Sequence, residues 1–118
     1  MSAPSTTDST PILLQRDGDI ATVVLNRPDK LNAFTIDGWR LLGDIFLQLD
    51  RDDSVRCVLL RGAGEKAFSP GNDISEFETA RSNKRQAVEY GAVMRRTIEA
   101  IGGCRHPVVA QIHGICVG

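Results

Sequence analysis

The chain has 118 residues, about one domain's worth, and is long enough to bury a hydrophobic core without covalent staples. Apolar residues make up 42% and charged residues 25%, and 14 Lys plus Arg against 15 Asp plus Glu leave a formal charge of −1, a balance that gives no support to a nucleic-acid footprint or a basic membrane-surface patch. No apolar run reaches transmembrane length, and Cys57, Cys104 and Cys116, an odd count with no CxxC pair, argue against a disulfide framework or a zinc site and fit a reducing compartment.

Residues 1–10, MSAPSTTDST, are small, polar and rich in Ser, Thr and Pro, which predicts a disordered start without the basic and apolar regions of a signal peptide. The folded part is expected over residues 11–118, with no linker and no internal repeat. Residues 12–16 and the β-branched run IATVVL at 20–25 predict a hairpin around the Asp17-Gly18-Asp19 turn. Residues 26–34, NRPDKLNAF, form a loop, because Pro28 and two Asn residues break any period. The spacing of Ile36, Trp39, Leu42, Ile45, Phe46 and Leu49 predicts a helix from Thr35 to about Asp50, with Thr35 as N-cap. Residues 55–60, VRCVLL, predict a buried strand, so that strand, helix and strand make a parallel, right-handed βαβ crossover.

Residues 62–73, GAGEKAFSPGND, are expected as a long loop directly after that strand, where open α/β sheets place their ligands. Asp73 and Glu76 have capping-box spacing, so a short helix should start there. A longer helix is expected over about 83–101, with an uneven apolar face and Gly102-Gly103 ending it. Residues 108–112, VVAQI, predict another buried strand. The sequence ends on Gly118 with no closing helix, which implies a unit cut part-way.

Several motifs fail in their context. Gly62, Gly64 and Ala67 match a relaxed GxGxxA pattern, but Ser69-Pro70-Gly71 would break the helix that a dinucleotide turn must open. His106 and His113 have no Asp, Glu or Cys at ligand spacing and read as turn histidines, so no metal is expected. Cys57 reads as core, while Cys104 and Cys116 have no nearby partner to activate them. Ser69 lacks the GxSxG elbow of a nucleophile. Two segments survive. The basic loop 26–33 could meet a phosphate-bearing ligand, and in residues 67–74 a glycine lets backbone approach a ligand while amides point outward, a geometry suited to an anion or oxyanion.

Together, VVLNRPDKLNAF, CVLLRGAGEKAFSPGND and PVVAQIHGICVG resemble, in order and spacing, the crotonase family, the enoyl-CoA hydratase/isomerase superfamily, over nearly the whole chain. The resemblance implies the N-terminal part of an α/β crotonase-like (ClpP/crotonase) ββα spiral core. It implies an enzyme that binds acyl-CoA and stabilises an enolate oxyanion with two backbone N–H groups. One donor would be Asn72, the variable residue of a Gly-x-Asp motif, and the second would come from the glycine turn that begins at Gly118. Lys30, Leu31 and Ala33 would flank the CoA, with Lys30 on a phosphate; Ser69, Pro70, Gly71, Asp73 and Ile74 would line the thioester and adenine contacts. Pro70 departs from the small residue usual before that Gly, removing an N–H and stiffening the loop. The implied reaction is hydration of a trans-2-enoyl-CoA. Isomerase, hydrolase or decarboxylase chemistry and a non-catalytic CoA-binding or interaction module are the alternatives, and the acid/base glutamates are expected beyond Gly118. Coenzyme A enters as part of the substrate, with no covalently bound cofactor. The resemblance also implies a homotrimer or a hexamer of two trimers in the cytoplasm, acting in fatty acid metabolism without nucleic-acid or membrane partners.

Overall fold

The computed structural model describes residues 10–76 and 83–117, so the expected disorder at residues 1–9 and the turn at Gly118 lie outside the described residues. Strand β1 (Ile12–Asp17) pairs antiparallel with β2 (Ile20–Leu25), from Ile12 opposite Leu25 to Asp17 opposite Ile20, and Gly18 turns between them with φ +63°. Ala21, Val23, Val24 and Leu25 are all buried, as suits a strand paired on both sides and covered on its faces.

Helix α1 (Ile36–Asp50) starts where the sequence places it: the Thr35 hydroxyl oxygen accepts from the Gly38 N–H at 3.1 Å. Its stripe of Leu42, Ile45, Phe46 and Leu49 packs on Val23, Leu25 and Val58 to form the core. Strand β3 (Cys57–Gly62) runs parallel to β2 and begins two residues later than the apolar run suggests. Val55 is buried, but its N–H bonds Asp52 in the turn after α1, so the register opens only at Cys57 opposite Ile20, and Cys57 itself is half-buried rather than inside the core.

The segment after β3 is not loop throughout. Ala67–Ser69 forms strand β4, which pairs parallel with the two-residue strand at Ile115–Cys116. Between them come a one-turn 3-10 helix at Ile74–Glu76 and helix α2 (Lys84–Gly102), whose N-cap Asn83 accepts from the Gln86 N–H at 2.9 Å. The two helices meet closely at Gly43, where a Cβ would lie 2.8 Å from the Thr97 hydroxyl oxygen. Of α2, Tyr90 and Thr97 are buried, whereas Val88 and Ile98 of its uneven apolar face stand exposed.

Strand β5 (Val108–Gln111) then joins β3 in parallel and completes a four-stranded sheet in the order β1-β2-β3-β5; Ile115–Cys116 is β6. The expected burial of β5 is not found: Val108 is half-buried and Val109 to Ile112 are exposed. Among the described residues the strand is the sheet's edge, with a neighbouring strand on one side only. No described helix is long and apolar enough to cross a membrane.

Candidate active site

The loop leaving β2 carries the first half of the site. It forms a 3-10 turn at Pro28–Lys30, after which Leu31 and Asn32 take left-handed φ values of +56° and +66°. Asn residues tolerate that region better than most. Asn32 is 3% exposed, and its amide is fully used: Nδ2 donates to the Ala63 and Ala67 carbonyls at 3.0 and 2.9 Å, and Oδ1 accepts from the Arg27 N–H at 2.9 Å. Arg27 donates to the Ala33 carbonyl at 2.7 Å and pairs with Asp73 at 3.2 Å. These bonds tie the loop to the β3–β4 segment. Lys30 remains exposed at the turn's last position.

The second half runs along the extension of β4. The Ser69 hydroxyl donates to the Asn32 carbonyl at 2.9 Å and accepts from the Gly71 N–H at 3.1 Å, so it anchors backbone and is not a free nucleophile. Gly71 sits at φ +96°, a conformation that L side chains rarely adopt. Phe34 then bridges the segment: its N–H donates to the Gly71 carbonyl and its carbonyl accepts from the Asp73 N–H, both at 2.8 Å. In extended backbone successive amides face opposite sides. The Asn72 N–H therefore points away from Phe34, and among the described residues nothing accepts from it.

A cleft of about 350 Å³ opens on this stretch, walled by Phe34, Trp39, Phe68, Met94, Ile98 and Val117 and including Ser69, Gly71, Asn72 and Cys116. Phe34 and Trp39 stack at 4.3 Å between ring centroids. The Trp39 indole N–H donates to Asn72 Oδ1 at 2.8 Å, and Asn72 Nδ2 lies 3.7 Å from the Met94 sulfur. A second hollow of about 350 Å³ lies beside Pro28, Leu31, Asn32 and Gly64 to Ala67.

The turn after Asn72 is held from both ends. Asp73 accepts from the Ser75 hydroxyl at 2.6 Å and N–H at 3.0 Å; these bonds, with Arg27 behind them, hold its carboxyl below the usual carboxylate range. Glu76 has capping-box spacing, but the Asp73 N–H is taken by Phe34, and Glu76 Oε1 accepts instead from the Ile36 N–H at 2.9 Å and the Tyr90 hydroxyl at 3.1 Å. One carboxylate thus joins the site's turn to the start of α1 and to the buried Tyr90 of α2.

The structure brings Leu31, Ala33, Ser69, Pro70, Gly71, Asn72 and Asp73 to one end of the sheet, while Ile74 is 75% exposed. The ring nitrogens of the histidines meet backbone carbonyls, His106 those of Leu49 and Asp52 and His113 that of Gly64. Among the described residues, no three His, Cys, Asp or Glu side chains gather as a metal site would need. Trp39, which the sequence offers only as part of an apolar helical spacing, packs against the core and also reaches the site through its indole N–H, and the sequence does not single out Arg27, Asn32 or Glu76 as positioning groups. The only signal available for Asn32 was an Asn in a loop rich in turn formers.

The sequence profile of the enoyl-CoA hydratase/isomerase family matches residues 20–118. A short-chain-enoyl-CoA hydratase from Clostridium acetobutylicum is 31% identical over 107 residues, which are 91% of this chain and 40% of that protein. The mitochondrial 3-hydroxyisobutyryl-CoA hydrolase of Bos taurus is 36% identical over 112 residues, 91% of this chain and 28% of that one. The crystal structure of an enoyl-CoA hydratase/carnithine racemase from Magnetospirillum magneticum superposes with a TM-score of 0.86 at 48% identity, over 91% of this chain and 40% of that chain. The fold is the N-terminal part of the crotonase-like α/β fold, and the chain spans between 28% and 40% of the length of these relatives.

Proposed function

The chain belongs to the enoyl-CoA hydratase/isomerase family, and from that premise we propose that the complete protein binds an acyl-CoA thioester and stabilises an enolate-like oxyanion at its carbonyl, hydrating a trans-2-enoyl-CoA. The observation that carries this reading is the Asn72 N–H. Its neighbours along the segment are engaged, Gly71 with Ser69 and Asp73 with Phe34, while among the described residues nothing accepts from this amide, which lies beside an apolar cleft. Adding a nucleophile at C3 of an enoyl thioester places negative charge on the thioester oxygen. A preorganised N–H at that oxygen lowers the barrier, because the donor need not be turned away from another partner. A second N–H, from the turn that begins at Gly118, would complete the hole. Lys30 is the group proposed for a CoA phosphate, as an exposed point charge at the mouth of the loop.

The test is hydration of crotonyl-CoA, followed by loss of the conjugated thioester's absorbance. Asn72→Pro removes the N–H and should lower turnover by roughly two to three decades. Asn72→Ala keeps the amide and should be milder. A Pro variant as fast as the wild type overturns the assignment.

Thioester hydrolysis is the second reading, favoured by the 36% identity to a 3-hydroxyisobutyryl-CoA hydrolase. The same oxyanion geometry would serve it, since water attack on the thioester also loads charge onto the carbonyl oxygen. Release of free CoA thiol separates the two reactions.

A further inference from the structure

We propose that Trp39 is a positioning residue for the oxyanion donor: its indole N–H holds the Asn72 side chain and, through it, the direction in which the Asn72 backbone N–H points. This rests on the acyl-CoA reading above, in which that N–H meets the thioester oxygen.

The need for a positioning group follows from the peptide unit. The Asn72 N–H and the Gly71 carbonyl belong to one planar trans unit and point to opposite sides of the chain. That unit turns as a whole when the torsions on either side of it change in concert. Gly71, at φ +96°, has no Cβ to resist the motion. The Phe34 N–H holds the Gly71 carbonyl at 2.8 Å, which fixes one edge of the plane. A single hydrogen bond still lets the plane swing about that contact. A second point of attachment stops the swing, and the Asn72 side chain supplies it.

An indole N–H is a donor only, so its 2.8 Å contact with the Asn72 amide is made to Oδ1. The other end of that amide, Nδ2, lies 3.7 Å from the Met94 sulfur. With Oδ1 held, rotation about the Asn72 N–Cα bond would carry the side chain off the indole. Trp39 is itself held twice. Its ring stacks on Phe34 at 4.3 Å between centroids, and its carbonyl accepts from the hydroxyl of Thr97, a 1% exposed residue of α2, at 2.6 Å. Phe34 therefore serves the unit in two ways, through its backbone on Gly71 and Asp73 and through its ring on Trp39. A donor fixed at both ends need not reorganise as charge develops, so the anchor acts on the transition state more than on the bound substrate.

Hydration of crotonyl-CoA by the complete protein, read as kcat and KM over a double-mutant cycle, tests this. Trp39→Phe keeps an aromatic ring on Phe34 but removes the N–H. It should lower kcat by up to about fivefold, the worth of one neutral hydrogen bond, and change KM less. Asn72→Ala keeps the backbone N–H but removes the held amide, and should lower kcat by a similar factor. The double variant should be no slower than Asn72→Ala, because the indole then has nothing to hold. Any cleft wall lost with the smaller ring is lost in both backgrounds and cancels in the cycle. If Trp39→Phe fails to fold, Asn72→Leu carries the test: it keeps the N–H and nearly the shape of the side chain, offers the indole no acceptor, and should be slowed by the same factor. A wild-type kcat in Trp39→Phe or Asn72→Leu, or a Trp39→Phe loss that persists in full on the Asn72→Ala background, overturns the inference. Asn72→Pro then tells which reading has failed: if it is slow, the donor assignment stands without the Trp39 anchor, and if it is as fast as the wild type, the donor falls and the inference with it.

Discussion

Asn32 offers the most direct test of how the site is held. The side chain is 3% exposed and makes three hydrogen bonds, two to carbonyls on the β3–β4 segment and one from the Arg27 N–H. Replacing it by Ala removes all three at about 1 kcal/mol each, the typical worth of an intramolecular hydrogen bond. It also places a Cβ-bearing residue without a compensating polar side chain at φ +66°, which adds about 1 kcal/mol. The expected loss is about 4 kcal/mol, a large share of the stability of an ordinary domain. Asn32→Gly separates the two contributions, since it loses the bonds but not the conformation, and should cost about 3 kcal/mol. Asn32→Asp is nearly isosteric, yet it aims carboxylate oxygens at the Ala63 and Ala67 carbonyls in a buried place. Its carboxyl would be pushed above the usual carboxylate range. A raised folded-state value means that the charged form destabilises at neutral pH and that this deficit shrinks as pH falls through that value. Urea unfolding of the complete protein at pH about 7 and about 4.5 reads all of this. An Asn32→Ala variant within about 1 kcal/mol of wild type would refute the clamp.

Three further outcomes follow from the same geometry. Asp73 is held below its ordinary value, first by Ser75 and then by Arg27, so the stability it contributes is full above about pH 4 and is lost as pH falls through the depressed value; Asp73→Asn should flatten the acid limb of the stability curve, and an unaltered limb in acid titration counts against it. Gly114→Ala should unpair β6 from β4, because φ is +60° and the new Cβ would clash with the Lys66 carbonyl oxygen; an unchanged urea midpoint would contradict this. On the proposed acyl-CoA reading, Lys30→Ala should raise KM about tenfold in dilute buffer and by less in high salt, and a salt-independent KM equal to the wild type's would rule out the proposed phosphate contact of Lys30.

Much of the fold was legible because local chemistry and tertiary packing agree. Gly18 turns the hairpin and the Thr35 side chain caps α1, each at its predicted place. The failures occur where distant contacts decide. Val55 is apolar and buried but belongs to a turn, so the start of β3 was misplaced. β4 is three residues long beside Pro70 and Gly71, and only its pairing with β6, far along the chain, makes it a strand. The exposed edge of β5 could not be read from VVAQI, because an apolar run states what a strand would bury and not what is there to cover it. In the site, Asn72 was reached through a motif, but its side chain's partnership with Trp39 was not. An apolar helical stripe gives no sign that one of its members offers an indole N–H outward.

The site's shape rests on polar side chains that bind backbone. Arg27 and Asn32 hold carbonyls of the loop and of the β3–β4 segment, Ser69 holds Asn32 and Gly71, and Glu76 holds the first amide of α1. Apolar packing alone would leave such a segment free to slide, since dispersion contacts have little directional preference. A hydrogen bond fixes both distance and direction, and several on successive residues fix the direction of the amide left between them. The Asn72 N–H is aimed because every neighbouring group is already committed. A donor held in this way need not reorganise as charge develops, which is the condition under which a backbone amide contributes most to a transition state. The same bonds explain why the aiming cannot be read from Asn72 alone: its direction is a property of Phe34, Ser69 and Asp73, which the chain brings together from two separate segments.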